Sequence, residues 1–160
     1  MNTTTARRTY TPPTPSQLDD AYALVDRFAA IWAKPDLEGL KSLMHEDTRN
    51  LIPPMTEPAD REGVLAQFGA TFERMPDLRV EVMRWAPTGD AVMVEWRASA
   101  SIAGQPLSWV GVDRFNIRGD RMYAGQVYWD TRQVAEKIAT SIQAAQARAA
   151  QSQTAQPQIQ

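Results

Sequence analysis

The order of the residues predicts an α+β fold in which helices come first and an antiparallel sheet follows. Through the first half of the chain, apolar residues recur at three- and four-residue spacing, as on one face of a helix. From about residue 78 they alternate every two residues, and short turn-forming segments separate the alternating runs. A last helical pattern closes the chain. We therefore expect helices that cover one face of the sheet.

Three helices are predicted before the sheet. Ser16 is the expected N-cap of the first, which ends before Pro35. Asp36 caps a short second helix, 48–52 forms a short strand, and Asp60 caps the third helix. The residues expected to face inward from these helices are Ala21, Leu24, Val25, Phe28, Ile31, Trp32, Leu37, Leu40, Leu43, Met44, Val64, Leu65, Phe68 and Phe72.

Four strands are predicted next, at about 78–85, 91–102, 107–117 and 121–130. Their connections are short and contain Gly, Pro and Asp, so neighbouring strands should pair antiparallel as a meander. Apolar residues at helical spacing over 131–150 then predict a C-terminal helix that lies against the body or against a partner chain.

The 160 residues fit a single domain. We expect that domain over 16–135, followed by the C-terminal helix over 136–150. The N-terminal arm 1–15 is mostly Thr, Pro and Arg, and the tail 151–160 is rich in Gln. Such segments bury too little apolar area to offset the entropy of ordering, so both are predicted to be disordered and without a chemical role.

Composition limits the classes of function. The net charge of −2 comes without a basic stripe, which argues against nucleic acid as a partner. No apolar run approaches the roughly 18 residues of a membrane span, and Arg7-Arg8 are not followed by the apolar segment of an export signal, so a cytoplasmic location is expected. With no cysteine and His45 as the one histidine, no thiolate nucleophile or multi-histidine metal site can form. We expect no metal and no cofactor.

The most informative residue is Asp113, which lies in the middle of an apolar strand. Strand alternation puts Asp113 on one face with Trp109 and Phe115, while Val110 and Val112 point the other way. Burial among aromatic rings favours the neutral form of a carboxyl and raises its pKa. Asp113 is therefore a candidate for proton chemistry.

The same position has a structural interpretation. Asp113 could pair with Arg97 or Arg114, or it could cap a turn, and buried carboxyl groups of both kinds occur in proteins.

Four segments carry a resemblance to a known family. The residues of 28–40, 45–48, 111–115 and 127–130 resemble the nuclear transport factor 2-like superfamily, nearest its SnoaL-like members, and the likeness extends over about 18–135. The resemblance implies a cone-shaped α+β barrel whose curved sheet and helices enclose one apolar cavity, often as a homodimer. Its enzymes include ketosteroid isomerases, polyketide cyclases, scytalone dehydratase and limonene epoxide hydrolase.

The catalytic residues of these relatives match this chain only in part. The oxyanion-binding aspartic acid of ketosteroid isomerase corresponds to Asp113, whereas its tyrosine corresponds to Phe28 and its base to Ile52. In that isomerase an apolar site keeps the aspartic acid protonated, so that it can donate a hydrogen bond at neutral pH. The resemblance therefore implies a hydrogen-bond donor at Asp113 and argues against the full isomerase mechanism.

Other relatives contribute fewer matches. The Asp-Arg-Asp constellation of limonene epoxide hydrolase would fall near Trp96, Ala98 and Val127, and none matches. For the polyketide cyclases, Asp130 is a candidate acid or base, although it could equally point outward from the end of its strand. His45 is a further candidate, and an exposed or capping histidine is its structural alternative.

An apolar ligand would need a lining of large side chains, and the chain has many of them. They could line a cavity or simply form the core, and Asn50 and Tyr123 could be polar groups of the cavity or satisfied core residues. The candidate substrate-binding residues are Phe28, Trp32, Asn50, Ile52, Met55, Phe68, Phe72, Trp96, Trp109, Tyr123, Val127 and Trp129.

These observations lead to three hypotheses. The first is a cofactor-independent acid/base enzyme, of isomerase, cyclase or dehydratase type, that acts on a small apolar cyclic or aromatic oxygenated molecule through Asp113, Asp130 or His45. The second is a protein that binds such a molecule without reacting with it. The third is a homodimer with a filled core and no cavity. We expect a homodimer in each case.

Overall fold

The computed structural model describes residues 12–154 and shows an α+β fold, as predicted. Within that range, none of the helices is both long enough and apolar enough to cross a membrane. The elements in chain order are α1 (Pro15–Ala33), α2 (Leu37–Ser42), β1 (Met44–Leu51), α3 (Arg61–Arg74), β2 (Arg79–Pro87), β3 (Ala91–Ile102), β4 (Gln105–Arg118), β5 (Arg121–Trp129) and α4 (Thr131–Thr154).

One curved five-stranded sheet carries the fold, in the order β1-β5-β4-β3-β2. Strands β2 to β5 form the predicted antiparallel meander. β1 pairs parallel with β5, a pairing that the sequence did not predict. Shifts of register between Val82 and Arg84, and between Asn116 and Ile117, mark irregularities of the kind that bend strands.

Helix α1 begins two residues earlier than the sequence predicts. Its N-cap is Thr14 and not Ser16. The Thr14 hydroxyl accepts the Gln17 N–H at 3.2 Å, and the Gln17 side chain accepts the Thr14 N–H at 2.9 Å, which is a capping box. Residues 14 and 15 are therefore ordered, whereas 1–11 of the predicted arm lie outside the described residues.

The chain between α1 and α3 differs most from expectation. Asp36 and Asp60 cap their helices as predicted, by accepting N–H groups three residues on. α2 is short, as predicted, but Leu37 is 40% exposed instead of inward, and Met44 belongs to a strand that starts four residues before the predicted 48–52. A strand here satisfies backbone groups along the edge of β5, which a longer α2 would leave open.

Helix α4 follows the apolar pattern predicted over 131–150 and extends beyond it at its C-terminal end. It starts at Thr131, directly after β5, so the predicted boundary at 135 falls inside the helix. It also includes residues 151–154 of the predicted tail, while 155–160 lie outside the described residues. Val134 is buried and Ile138 packs against the core, so the start of α4 is attached to the body of the protein.

Candidate active site

The concave face of the sheet and three of the helices enclose a cavity of about 470 Å³. This volume lies in the range of small-molecule sites. Strands β3 to β5 form its floor, while α1, α3, the start of α4 and the loop after β1 form its walls. The lining consists of Phe28, Trp32, Ile52, Pro53, Pro54, Met55, Gln67, Phe68, Ala70, Thr71, Arg74, Met75, Leu78, Val80, Trp96, Ala98, Trp109, Asp113, Val127, Trp129, Val134 and Ile138.

Most of the predicted site residues lie together in this lining. Asn50 lines a smaller hollow of about 50 Å³ that shares Asp113 with the main cavity. The hypothesis of a filled core without a cavity is therefore wrong. The predicted residues found in the main lining are Phe28, Trp32, Ile52, Met55, Phe68, Trp96, Trp109, Asp113, Val127 and Trp129.

Two predicted catalytic residues lie outside the cavity. His45 is on β1, not at the end of a helix, and its Nε2 lies 2.7 Å from the backbone oxygen of Arg118. Asp130 is exposed and its Oδ1 accepts the N–H of Gln133 at 2.9 Å, so it caps the first turn of α4. Neither side chain reaches the cavity, because each is held at a surface by a local partner.

Two predicted substrate-binding residues are also displaced. The Tyr123 hydroxyl donates to the Asp90 carboxylate at 3.3 Å, outside the cavity. Phe72 stacks on Phe68, with ring centroids 6.0 Å apart, and supports the wall from behind. Tyr123 lies at the shift of register between β4 and β5, where the pairing passes from Ala124 to Met122, so the alternation of faces along β5 is interrupted there.

Asp113 is the acidic residue of the lining, and it is 6% exposed. Within residues 12–154 its Oδ1 has no hydrogen-bond partner. Neither predicted ion pair of Asp113 forms among the described residues, since Arg114 donates to Asn116 at 2.6 Å and Arg97 lies 3.8 Å from Glu81. A buried carboxyl group without a partner is costly, which makes it exceptional among core polar groups.

Burial raises the pKa of Asp113 to about 7. The indole N–H of Trp96 opposes this rise, although the two groups fall short of hydrogen-bond geometry. At neutral pH the carboxyl group is therefore divided between its protonated and ionised forms. Such a group can donate a proton in one form and accept one in the other.

Gly111 lets Trp96 lie close to the floor of the cavity. The two residues are paired across β3 and β4, and a Cβ at position 111 would lie 2.4 Å from Cζ2 of Trp96 and 2.8 Å from the Tyr128 backbone oxygen. A side chain there would displace the indole ring. Trp96 is 7% exposed and its Nε1 has no partner among the described residues. Two unpaired polar groups, Trp96 Nε1 and Asp113 Oδ1, therefore share one region of an apolar cavity.

Asn50 lines the smaller hollow, where a neighbouring glycine again leaves space for a side chain. It pairs with Gly125 of β5, where a Cβ would lie 2.2 Å from Oδ1 of Asn50. Its Nδ2 contacts the sulfur atoms of Met44 and Met122 at 3.6 and 4.0 Å, which are weak acceptors. Its Oδ1 has no partner in the described chain. The hollow thus adds a third unsatisfied polar group close to Asp113.

Several lining residues were not predicted from the sequence. Gln67, Thr71 and Arg74 of α3 line the cavity, as do Val134 and Ile138 of α4. The α4 pair lies in the predicted apolar stripe, but the sequence does not show which surface that stripe covers. The three α3 residues are spaced by four and three positions, so their spacing alone would have placed them on one face of the helix.

The described chain contains no group of three or more His, Asp or Glu side chains arranged to hold a metal ion. The lining also offers Asp113 as its one acidic side chain. Arg74 is its one basic side chain.

A profile of the SnoaL-like domain matches residues 25–124. The chain belongs to the SnoaL-like family. The match runs from the middle of α1 to the middle of β5, and therefore includes the strand that carries Asp113. No curated protein matches the SnoaL-like chain at a significant level.

Solved structures share the fold of this SnoaL-like protein. A protein from a Jannaschia species, described as a candidate SnoaL-like polyketide cyclase, has a TM-score of 0.68 at 19% identity over 80% of this chain and 96% of its own. An NTF2-like protein from Anabaena variabilis has a TM-score of 0.63 at 17% identity over 78% and 96%. An LEH-like epoxide hydrolase from M. tuberculosis has a TM-score of 0.65 at 15% identity over 81% and 96%. These likenesses establish the NTF2-like fold.

Proposed function

We propose that this SnoaL-like protein is a cofactor-independent acid/base enzyme for a small apolar cyclic or aromatic oxygenated molecule. The observation that carries the proposal is the buried carboxyl group of Asp113, which lines an apolar cavity of about 470 Å³, has an Oδ1 without a partner among the described residues, and has its pKa raised to about 7. A general acid or base works best when its pKa lies near the working pH. Proton transfer beside a carbonyl or hydroxyl group, in an isomerisation, cyclisation or dehydration, matches this arrangement.

In the proposed reaction, protonated Asp113 gives its proton to the carbonyl or hydroxyl oxygen of the substrate, and the carboxylate that remains takes a proton from the adjacent carbon, so that Asp113 ends protonated. The indole N–H of Trp96 is a second donor close by, and its hydrogen bond becomes stronger as negative charge develops on that oxygen. Both donors are buried, so water competes little for them. The aromatic side chains of the lining hold the ring system of the substrate.

The first test is turnover by the Asp113→Asn variant. The protein is incubated with cyclic ketones, phenolic lignin-type dimers and polyketide-type ketones, and products are separated by chromatography and identified by mass spectrometry. Loss of the acid should lower turnover by about 10² to 10⁴-fold while the variant still folds. Asp47→Asn is the matched control, because it removes a carboxylate from a surface ion pair with Arg118. Full activity of Asp113→Asn on an identified substrate would falsify the assignment.

Binding without reaction is the second candidate function. The observation that favours it is that Phe28 and Ile52, where the resemblance to ketosteroid isomerase would place a tyrosine and a base, are apolar residues of the lining. The same incubations separate the two functions. Tight binding of a compound that is recovered unchanged rejects catalysis for that compound and supports a carrier or sensor. A cytoplasmic homodimer stays a prediction under either function.

A further inference from the structure

The wall of the cavity that α3 contributes has a polar stripe. Gln67, Thr71 and Arg74 follow one another at intervals of four and three residues, so they lie on one face of α3, and all three line the cavity. The rest of the lining is apolar apart from Asp113 and the indole nitrogens. An apolar ligand alone would leave this stripe unused.

Gln67 has an acceptor that is not satisfied. Its Oε1 is buried and has no hydrogen-bond partner within the described residues. Thr71 does not supply one, because its hydroxyl donates to the backbone oxygen of Gln67 at 2.9 Å. Buried carbonyl oxygens are nearly always paired, so a donor from a bound molecule would complete this site.

The guanidinium group of Arg74 has no carboxylate partner in the described part of the chain. Its Nε donates to the backbone oxygen of Ala70 at 3.3 Å, which holds the side chain at the exposed end of α3. Within residues 12–154 no acidic side chain lies within 4.0 Å of it, whereas Arg27 and Arg118 pair with aspartates. The free edge of a guanidinium group matches the two oxygens of a carboxylate.

The charges of the lining favour an anion of single charge. Arg74 and Asp113 are its two ionisable side chains of opposite sign. When the Asp113 carboxyl group is protonated, the lining carries one positive charge, at Arg74. A ligand with one negative charge would then leave no net charge in the site.

We infer that the substrate or ligand is a ring-containing monocarboxylate, bound with its carboxylate at Arg74, its rings against the aromatic lining, and an oxygen at Asp113. A hydroxyl group on the α3 side of such a molecule could donate to Gln67. The inference rests on the proposed function, because both require a molecule in the cavity. The inference adds that the bound molecule has an anionic end and one defined orientation in the site.

The test compares two probes that share one ring system, 6-hydroxy-2-naphthoate and its neutral methyl ester, which is larger by one methyl group, by isothermal titration calorimetry at pH 6. The wild-type protein should bind the carboxylate about tenfold more tightly than the ester, as expected for a charge-assisted hydrogen bond. Arg74→Gln should bind both probes with the affinity that the wild type has for the ester. Gln preserves helix propensity, so α3 should remain intact.

Arg132→Gln is the matched control. It removes the same charge from a side chain that is 88% exposed on α4 and pairs with Glu136, and it should keep the preference for the carboxylate. Equal binding of both probes to the wild type would overturn the inference and leave the proposed function standing. The inference would also be overturned if Arg74→Gln still bound the carboxylate more tightly than the ester, or if that variant no longer bound the ester. Failure of the wild type to bind either probe would count against the inference and the proposed function together.

Discussion

The lining of the cavity includes a carboxyl group, Asp113, whose ionised form is unfavourable in an apolar site. Asp113 is 6% exposed and its Oδ1 has no hydrogen-bond partner among the described residues, so its ionised form is poorly stabilised. A core built only for stability would carry an apolar residue there. The cost of the carboxyl group is therefore an argument that Asp113 serves a bound molecule.

This cost should appear in the pH dependence of stability. The folded pKa of about 7 lies above the ordinary value of 3.8, so between these values the folded state holds a proton that the unfolded state has lost. Stability should therefore fall as pH rises from about 4 to 7 and then level off. The contribution lost between pH 5 and pH 8 is about 2 to 3 kcal/mol.

Urea unfolding of the wild type and Asp113→Asn at pH 5 and pH 8 measures this contribution. The free energy of unfolding of the variant, relative to the wild type, should increase by about 2 to 3 kcal/mol at the higher pH. Asp47→Asn, at a surface ion pair, should not show this change. Equal pH dependence of wild type and Asp113→Asn would mean that the carboxyl group titrates as if in water.

Strand alternation was sufficient to predict the face of Asp113, because a period of two leaves only two choices. It was not sufficient to predict that Trp96 and Asp113 share one region, since that depends on the pairing of β3 with β4 and on the space left at Gly111. Gln67 and Arg74 were not predicted, because the inner face of a helix is inferred from its apolar residues and polar ones usually face solvent. Local patterns thus predict orientation, whereas convergence of side chains depends on contacts between distant segments.

At the level of elements, segments with strong local signals were predicted well. The aspartate caps of α2 and α3 and the turns of the meander depend on neighbouring residues, and all were confirmed. β1 was predicted too short because it is defined by parallel pairing with β5, more than 70 residues away in the case of Met44 and Met122. Pairing at such a distance has no local sequence signal.

The carboxyl group of Asp130 could cap helix α4 or act in catalysis, and substitutions distinguish these two roles. Its Oδ1 accepts the Gln133 N–H at 2.9 Å and its backbone oxygen accepts the Val134 N–H at 3.2 Å, which is the geometry of an N-cap. Asn also caps helices well, whereas Ala does not. We therefore expect Asp130→Ala to lower the free energy of unfolding by about 1 kcal/mol, and Asp130→Asn to leave both stability and activity near the wild-type values.

Urea unfolding and the turnover assay check these values together. A variant Asp130→Asn that is stable but inactive would show that the carboxylate has a catalytic role after all. Equal stability of the Ala and Asn variants would show that the cap contributes little to the attachment of α4.

The whole molecule uses the two faces of its sheet differently. The concave face carries Trp96, Trp109 and Asp113 into the cavity, and the outer face carries the alternate residues of the same strands. On that outer face Val110 is 56% exposed and Tyr128 is 51% exposed. Exposed apolar residues that lie together on a sheet are a common feature of interfaces.

The outer residues form a small apolar centre between charged ones. Val112 pairs with Tyr128 on one side and with Glu95 on the other, while Val110 pairs with Arg97. An apolar centre with a charged rim is the usual arrangement of a protein interface. A second copy of the same chain would present the same surface, so two copies can associate about a twofold axis.

We predict that the protein is a homodimer through this outer face and that Val110→Lys is a monomer. A lysine at the centre of the interface would place two like charges close to one another in an apolar contact. Sedimentation equilibrium should give about twice the chain mass of 17.9 kDa for the wild type and the chain mass for the variant. Ile142→Lys is the control, because Ile142 is 41% exposed on α4, the other surface that could bind a partner. Dissociation by Ile142→Lys instead would place the interface on α4, and a wild type of single chain mass at all concentrations would rule out the dimer.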